Sequence, residues 1–264
     1  YLIKKISINK FITMKIANKE LKRFSKQIIL KNIGLSGQKK IFASKVLIIG
    51  VGGLGCPLAL YLANSGVGNI GIIDHDKIEL TNLNRQVLFT SKDLGKYKVD
   101  QARKVIKNIN KKIKITSYRK LVTKKNINSI LKNYDIICDG TDNFRSRYLI
   151  NDYCMKKKKI LISAAISKYD GHIFKFNFKK KTPCFRCFMP QIPKNHYNCD
   201  TEGIISTLAG IMGTMQANEV IKSIINSKSD LSGKMIVFNS LSLDFRKVKL
   251  SSNINCINKC RKIK

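Results

Sequence analysis

A chain of 264 residues with 51 Lys and Arg against 16 Asp and Glu carries a formal charge of +35. Its 44% hydrophobic and 25% charged residues are the composition of a globular protein with a sizeable core, which excludes a mainly disordered, collagenous or coiled-coil chain. No stretch approaches the ~18 uninterrupted apolar residues of a membrane helix, and eight Cys in a chain this long do not make a small disulfide scaffold.

Of the basic residues 42 are Lys and 9 are Arg, spread along the whole chain among abundant Asn and Ile. Compositional drift on solvated faces accounts for this better than a nucleic-acid footprint does, so only weak, salt-sensitive, non-specific binding to polyanions is expected. Residues 1–13 lack the apolar region and small-residue cleavage site of a signal peptide, and Met14 reads as a start. Residues 1–17 are therefore an N-terminal extension, and 18–264 a single domain. Four Cys paired at short spacing point to metal and to a reducing compartment, the cytoplasm.

In chain order, Asn18 to Ile33 reads as an amphipathic helix, with Leu21, Phe24, Ile28 and Ile29 at helical spacing. Lys45–Ile49 is a short, β-branched, buried strand. Gly55–Asn64 is a helix opening on Pro57, and Asn69–Asp74 a second strand. Helices at Leu94–Asn108, Asn126–Lys132 and Asn143–Met155 alternate with strands at Lys112–Tyr118, Tyr134–Asp139 and Ile160–Ala164. That alternation predicts an α/β fold: a Rossmann-like, mostly parallel sheet covered on both faces. After Ala165 the pattern changes. His172–Phe178 reads as an antiparallel strand, Lys179–Asp200 as an irregular cysteine-bearing stretch, Gly203–Ile225 as a long helix, and Lys234–Phe238 with Leu243–Leu250 as paired strands.

Gly50, Gly52 and Gly55 form G-x-G-x-x-G between a strand and a helix, the setting of a phosphate-binding turn. Backbone N–H groups reach the phosphates there, and the helix N-terminus favours their charge. Asp74, at the end of the next strand, suits a ribose hydroxyl. The turn alone does not choose between NAD and ATP. Arg85 can bind phosphate oxygens bidentately, Lys98 adds a point charge, and Asp142, just after a strand, can hold Mg²⁺. Together they suit a triphosphate.

The segments Arg23-Phe24-Ser25-Lys26-Gln27-Ile28-Ile29-Leu30, Gly50 to Gly55, Asn82-Leu83-Asn84-Arg85-Gln86 and Thr141-Asp142-Asn143 resemble the ThiF/MoeB/HesA family, bacterial relatives of the ubiquitin-activating enzymes. The resemblance runs from about Asn18 to Cys260. It implies adenosine contacts at Gly53, Asp74 and Asp76, and phosphate contacts at Thr81, Asn82, Leu83, Asn84, Arg85 and Lys98. Asp142, with Asn143 beside it, matches the Mg²⁺–ATP carboxylate. It further implies a homodimer in which the partner's N-terminal segment contributes a basic residue. Arg23 is retained there, while the second basic position is Lys26, which keeps the charge but loses the planar fork of an Arg. The implied reaction is ATP-dependent adenylation of the C-terminal glycine of a ubiquitin-like sulfur carrier ending in Gly-Gly, for thiamine or molybdopterin synthesis. The segment Gln86 to Thr90 leans towards the thiamine branch. Other substrates within the family are tRNA thiolation, cysteine synthesis and peptides. From other classes, a nicotinamide-dependent oxidoreductase and a polyanion-binding scaffold are weaker readings. The chain stops at Lys264, soon after Cys260, so the sulfur donor is expected to be a separate protein.

Cys184-x-x-Cys187 and Cys256-x-x-x-Cys260 have the pair spacing of a structural Zn²⁺ site, built from 179–202 and 251–264. A redox pair is the alternative, but Cys184 does not open a helix after a strand. Cys199 lies before a predicted helix among Lys residues, and in the family its position matches a cysteine that bonds to the carrier or receives sulfur in some members. Cys56, Cys138 and Cys154 read as packing residues, and His172 and His196, without evident partners, as non-catalytic.

Overall fold

The computed structural model describes residues 16–180, 182–192, 203–258 and 260. Eight strands form one sheet in the order β3-β2-β1-β4-β5-β6-β7-β8. They are β1 (Lys45–Ile49), β2 (Asn69–Asp74), β3 (Lys114–Arg119), β4 (Ile136–Asp139), β5 (Ile160–Ser167), β6 (Asp170–Asn177), β7 (Lys234–Asn239) and β8 (Phe245–Lys249). The first five pair in parallel and β5 to β8 antiparallel, so the expected parallel sheet with an antiparallel extension is the fold observed.

Among the described residues the helices are α1 (Asn18–Ile28), α2 (Gly34–Ala43), α3 (Gly55–Asn64), α4 (Lys98–Ile109), α5 (Ile127–Leu131), α6 (Phe144–Lys156), α7 (Phe185–Phe188) and α8 (Ser206–Ile224). Successive residues of a strand face opposite ways. Val46, Ile48, Ile70, Ile72 and Ile162 therefore join one core with α3, α4 and α8, while Leu47, Ile49, Ile73, Ile137 and Leu161 join a second with α5 and α6. Burial on both faces explains why the parallel strands read as uninterrupted apolar runs.

Several boundaries differ from expectation for identifiable reasons. The first helix stops at Ile28, not Ile33, because the chain folds back: Phe24 packs edge-on against Phe42 at 5.0 Å, and the Gln27 amide donates to Gln38 Oε1 at 2.6 Å. The returning α2 carries no clear sequence signature, since Gly34 and Gly37 dilute its helical signal. The helix expected from Leu94 begins at Lys98, because Gly95 has φ +77° and Lys98 N–H donates to Asp76 O instead of a helical carbonyl. β5 runs three residues past Ala164 to Ser167, where it turns into the β5–β6 hairpin. Among the described residues no helix is long and apolar enough to cross a membrane.

Lys175 on β6 is 2% exposed, in the middle of the antiparallel half of the sheet. Its ammonium pairs with Asp230 at 2.6 Å and lies 3.7 Å from Glu219, itself 3% exposed and bonded to Lys222. Removing one partner of a buried ion pair typically costs ~3–5 kcal/mol, because the other charge stays desolvated. Lys175→Met should lower unfolding stability by about 3 kcal/mol in urea denaturation followed by circular dichroism; a change under about 0.5 kcal/mol, the scale of an ordinary surface substitution, would contradict this ion pair.

Candidate active site and metal centre

From β1 the chain winds to β2 and β3 on one side, then crosses to β4 and β5 on the other. The strand C-termini part at this reversal, between β1 and β4, where open α/β sheets form a ligand crevice. A cleft of about 1140 Å³ opens there.

Its floor is the glycine turn. Gly50 has φ +87°, and a Cβ on it would sit 2.9 Å from Gly140 O; a Cβ on Gly55 would sit 2.0 Å from Gly50 O. Neither position admits a side chain, so backbone lies against backbone. Above Gly52 the space is open, with only Gln86 Nε2, at 3.8 Å, near a Cβ built there, while a Cβ on Gly53 would sit 3.1 Å from Ala209 Cβ and 3.2 Å from Arg85 Cγ. The cradle faces the N-terminus of α3, which suits an anion.

On the β2 side, Asp74 is braced: Val51 N–H donates to its Oδ2 at 2.7 Å and Asp76 N–H to its Oδ1 at 2.9 Å. Asp76 pairs through Oδ2 with Lys98 Nζ at 2.9 Å. Lys98 is 6% exposed, so it is a fixed charge in the cleft wall. Residues 80–82 form a 3₁₀ turn in which Asn82 Oδ1 accepts from Glu79 N–H. Arg85 donates to Thr81 O at 2.9 Å and Asn84 Oδ1 at 3.1 Å, which aims its guanidinium along the cleft. Gln86 is buried beside it, and its Oε1 has no partner among the described residues.

On the β4 side, Asp139 is fully buried and accepts from Thr141 N–H (3.0 Å), Thr141 Oγ1 (2.6 Å) and Ser163 Oγ (2.7 Å). Arg147 is 6% exposed, lies 3.6 Å from Asp139, and donates to Thr141 O (2.8 Å) and Ala164 O (3.0 Å). This network holds the loop that carries Asp142, whose exposed carboxylate lines the cleft. Asn143 accepts from Ser146 N–H and caps α6, which ties the loop to the helix. The sequence pattern assigns no site role to Asp139 or Arg147. Their signal was an acid ending a buried strand and an Arg within the following helix, a pattern without specificity in one sequence.

Of the expected site residues, Gly50, Gly52, Gly53, Asp74, Asp76, Thr81, Asn82, Asn84, Arg85, Lys98, Asp142 and Asn143 line this one cleft. Gly55 and Leu83 do not: Gly55 sits behind the turn in α3 and Leu83 packs against the core. Arg23 and Lys26 lie on the outer part of α1, away from the cleft of their own chain, and Arg23 donates to Ile109 O. Cys199 and His196 fall outside the described residues. Cys56, Cys138 and Cys154 are buried packing thiols, as expected; burial pushes all three up, Cys56 to about 12.

Cys184, Cys187, Cys256 and Cys260 converge, with their sulfur atoms within 4.8 Å of one another. Cys184–Cys256 and Cys256–Cys260 Sγ separations are 3.6 and 3.9 Å. A tetrahedral Zn²⁺ with Zn–S of ~2.3 Å needs sulfur atoms about 3.8 Å apart, so the set fits that ion. The Cys260 thiol, donating to Cys184, together with Asn258 holds Cys184 well below the usual thiol range, while burial pushes Cys256 up. The cluster is anchored on α6. Asp152 accepts both Arg186 Nε (2.8 Å) and a terminal nitrogen (2.7 Å), and also Asn258 Nδ2 (2.8 Å). Asn151 Oδ1 accepts from Phe185 N–H, and Arg186 stacks over Tyr148 at 4.4 Å.

A family model, the ThiF family, matches residues 24–258, and the chain belongs to that family. "Adenylyltransferase and sulfurtransferase MOCS3" of Culex quinquefasciatus is 42% identical over 238 residues, 89% of this chain and 54% of that protein. The protein of the same name from Dictyostelium discoideum is 38% identical over 244 residues, 91% of this chain and 57% of that one. The chain thus spans about half the length of the curated relatives it matches. Among solved structures, Escherichia coli MccB with ATP superposes with a TM-score of 0.78 at 24% identity, covering 94% of this chain and 75% of that one. At that identity the likeness concerns the fold.

Burial raises the Asp152 carboxyl, but hydrogen bonds from Arg186, Asn258 and Asn151 outweigh it, and the net shift is downward. A lowered carboxyl stabilises the fold above its unfolded value of ~3.9, and that contribution is lost as pH falls through the folded value. Asp152→Asn should therefore lower the melting temperature at pH 7, with the gap to wild type closing below about pH 4. An undiminished gap at about pH 3 would contradict a role for the ionised carboxylate.

Proposed function

We propose that residues 18–264 form one adenylation unit, which activates the C-terminal glycine of a ubiquitin-like sulfur carrier. The observation that carries this reading is the convergence in one cleft of a side-chain-free glycine cradle, a braced Asp74, two fixed cations and the exposed Asp142. The adenylyltransferase name borne by the relatives supports it.

In this reading Asp74 holds the ribose, and the backbone over Gly50, Gly52 and Gly53 receives the phosphates. Arg85 and Lys98 bind the phosphate oxygens, and Lys98 stays oriented by Asp76. Mg²⁺, held by Asp142, would neutralise charge on the triphosphate. A carboxylate oxygen of the carrier attacks the α-phosphorus in line as the bond to the β-phosphate oxygen breaks. Pyrophosphate leaves and an acyl-adenylate forms. The protein's contribution is positioning and charge stabilisation. Attack of a nucleophilic sulfur from the donor on the activated carbonyl then forms a C–S bond and releases AMP, and Cys199 is proposed to take part in that transfer.

A second copy of the chain would supply Arg23 or Lys26. The exposed apolar Ile29 (74%) and Leu30 (54%) follow directly on that segment and suit burial in a homodimer. The carrier body would dock on the β7–β8 turn, where Leu241, Leu243 and Phe245 are exposed at 66%, 69% and 56%. That turn lies at the cleft end of the sheet, bonded to the β5–β6 turn through Ser240 N–H to Tyr169 O and Asn239 to Asp170. The four clustered cysteines are proposed to hold a structural Zn²⁺.

ATP–pyrophosphate exchange with Mg²⁺, run with thiamine-type and molybdopterin-type carriers separately, tests the reading. Exchange should require an intact carrier C-terminal glycine, the preferred carrier names the pathway, and Asp142→Ala should reduce it by about 10²–10³-fold. Failure of the protein to bind ATP would overturn the reading. Elemental analysis should find one zinc per chain, lost in Cys256→Ser together with a lowered melting temperature; a Cys256→Ser variant with full zinc would remove that ligand.

A further inference from the structure

Past Asp142 the cleft continues in a second arm, walled by Ala165, Ile166, His172, Phe174 and Gly203. The whole cavity, about 1140 Å³, exceeds the ~300–1,000 Å³ of an ordinary small-molecule pocket, which leaves this arm for a second substrate. Among the described residues the lining around the arm is mostly apolar, and His172 is the one imidazole in it.

His172 heads a ladder on one face of β6. Its ring stacks on Phe174 at 6.3 Å and 22°, Phe174 on Phe176 at 6.1 Å and 12°, and Phe176 on Phe178 at 5.8 Å and 7°. The residues alternate along the strand, so the ladder is a direct consequence of the two-residue period. Below His172 the rings are buried, which fixes its orientation from beneath. Its own ring is only partly buried and faces the cleft, and neither ring nitrogen is hydrogen-bonded to a described residue. Register places His172 opposite Ala165 on β5 and Val237 on β7, neither of which can bond it through a side chain. Among the described residues the charged groups acting on it are Asp170, at the start of β6, and Arg147 from α6. Desolvation, opposed by Asp170 and reinforced by Arg147, holds the imidazole below its usual value and favours the neutral ring.

A neutral imidazole offers one donor and one acceptor. An extended peptide backbone offers the matching pair, and a terminus without side chains brings that backbone to a polar group set among apolar walls. We propose that His172 is a substrate-binding residue that hydrogen-bonds the backbone of the extended C-terminal tail of the carrier and so sets the depth to which its carboxylate enters. The inference rests on the adenylation reading above. Lys168 N–H donates to Gly203 O and Ile205 N–H to Lys168 O, which ties the Gly203 wall of the arm to the end of β5.

Steady-state exchange kinetics with varied carrier, alongside direct ATP binding without carrier, separate the possibilities. His172→Ala and His172→Phe should each raise KM for the carrier about tenfold, the scale of one lost hydrogen bond. ATP affinity should stay within about twofold. His172→Phe keeps the ring stack, so an equal defect in it assigns the effect to the nitrogens and not to packing. His172→Gln, with a donor and an acceptor on an amide, should recover most of the lost KM. An unchanged carrier KM in His172→Phe overturns the inference while leaving adenylation intact. So does a loss of ATP affinity that matches the rise in KM. Absence of exchange by the wild-type protein with every carrier offered would overturn the adenylation reading and this inference with it.

Discussion

The cleft depends on one backbone contact. At the reversal of strand order, the turn after β1 and the turn after β4 meet at Gly50 and Gly140 with no side chain between them. Two sheet edges that diverge cannot also stay close unless something thin joins them. Glycine is thin enough, and Gly55 lets α3 begin directly above the turn. From this contact follow the direction of α3, the opening of the cradle and the distance between the Asp74 wall and the Asp142 wall.

Each wall is then stiffened by an ion pair that holds a buried cation, Lys98 or Arg147. Asp76 and Lys98 fix one side, and Asp139 with Arg147 fixes the other. A buried ion pair is a weak source of stability, because desolvation offsets most of its attraction. Its use here is geometric. Arg147 bridges the loop after β4 to the end of β5, and Asp139 takes three further hydrogen bonds, so the loop bearing Asp142 has little freedom left. Preorganised charge of this kind is what a phosphorus transition state requires, since no reorganisation is then needed as charge develops.

Much of the fold was legible because its signals are local. Lys45–Ile49 and Asn69–Asp74 read as strands from composition alone, and the glycine turn between a strand and a helix located the cleft. The residues that hold the site together were not legible, because their partners are distant in sequence. Arg147 looks like any helix Arg until Ala164 O is placed beside it, and Asp152 looks solvated until Arg186 and Asn258 arrive from two other segments. Lys98 reads as a phosphate ligand, but its burial against Asp76 is visible only in the structure. The second helix escaped notice because two glycines weaken its pattern, and tertiary contacts from Phe24 and Gln27 supply what propensity lacks. His172 showed no partner in the sequence, and only the strand period and the closing of β6 onto β5 bring it to the cleft.

The central claim is that this cleft joins a carrier carboxylate to the α-phosphate of a nucleotide. Intact-mass spectrometry of the carrier after incubation with the protein, ATP and Mg²⁺ tests it most directly. The account predicts a carrier species heavier by one adenylyl group, formed with stoichiometric pyrophosphate and absent when the terminal glycine is removed. An unmodified carrier accompanied by release of ADP and phosphate would contradict it.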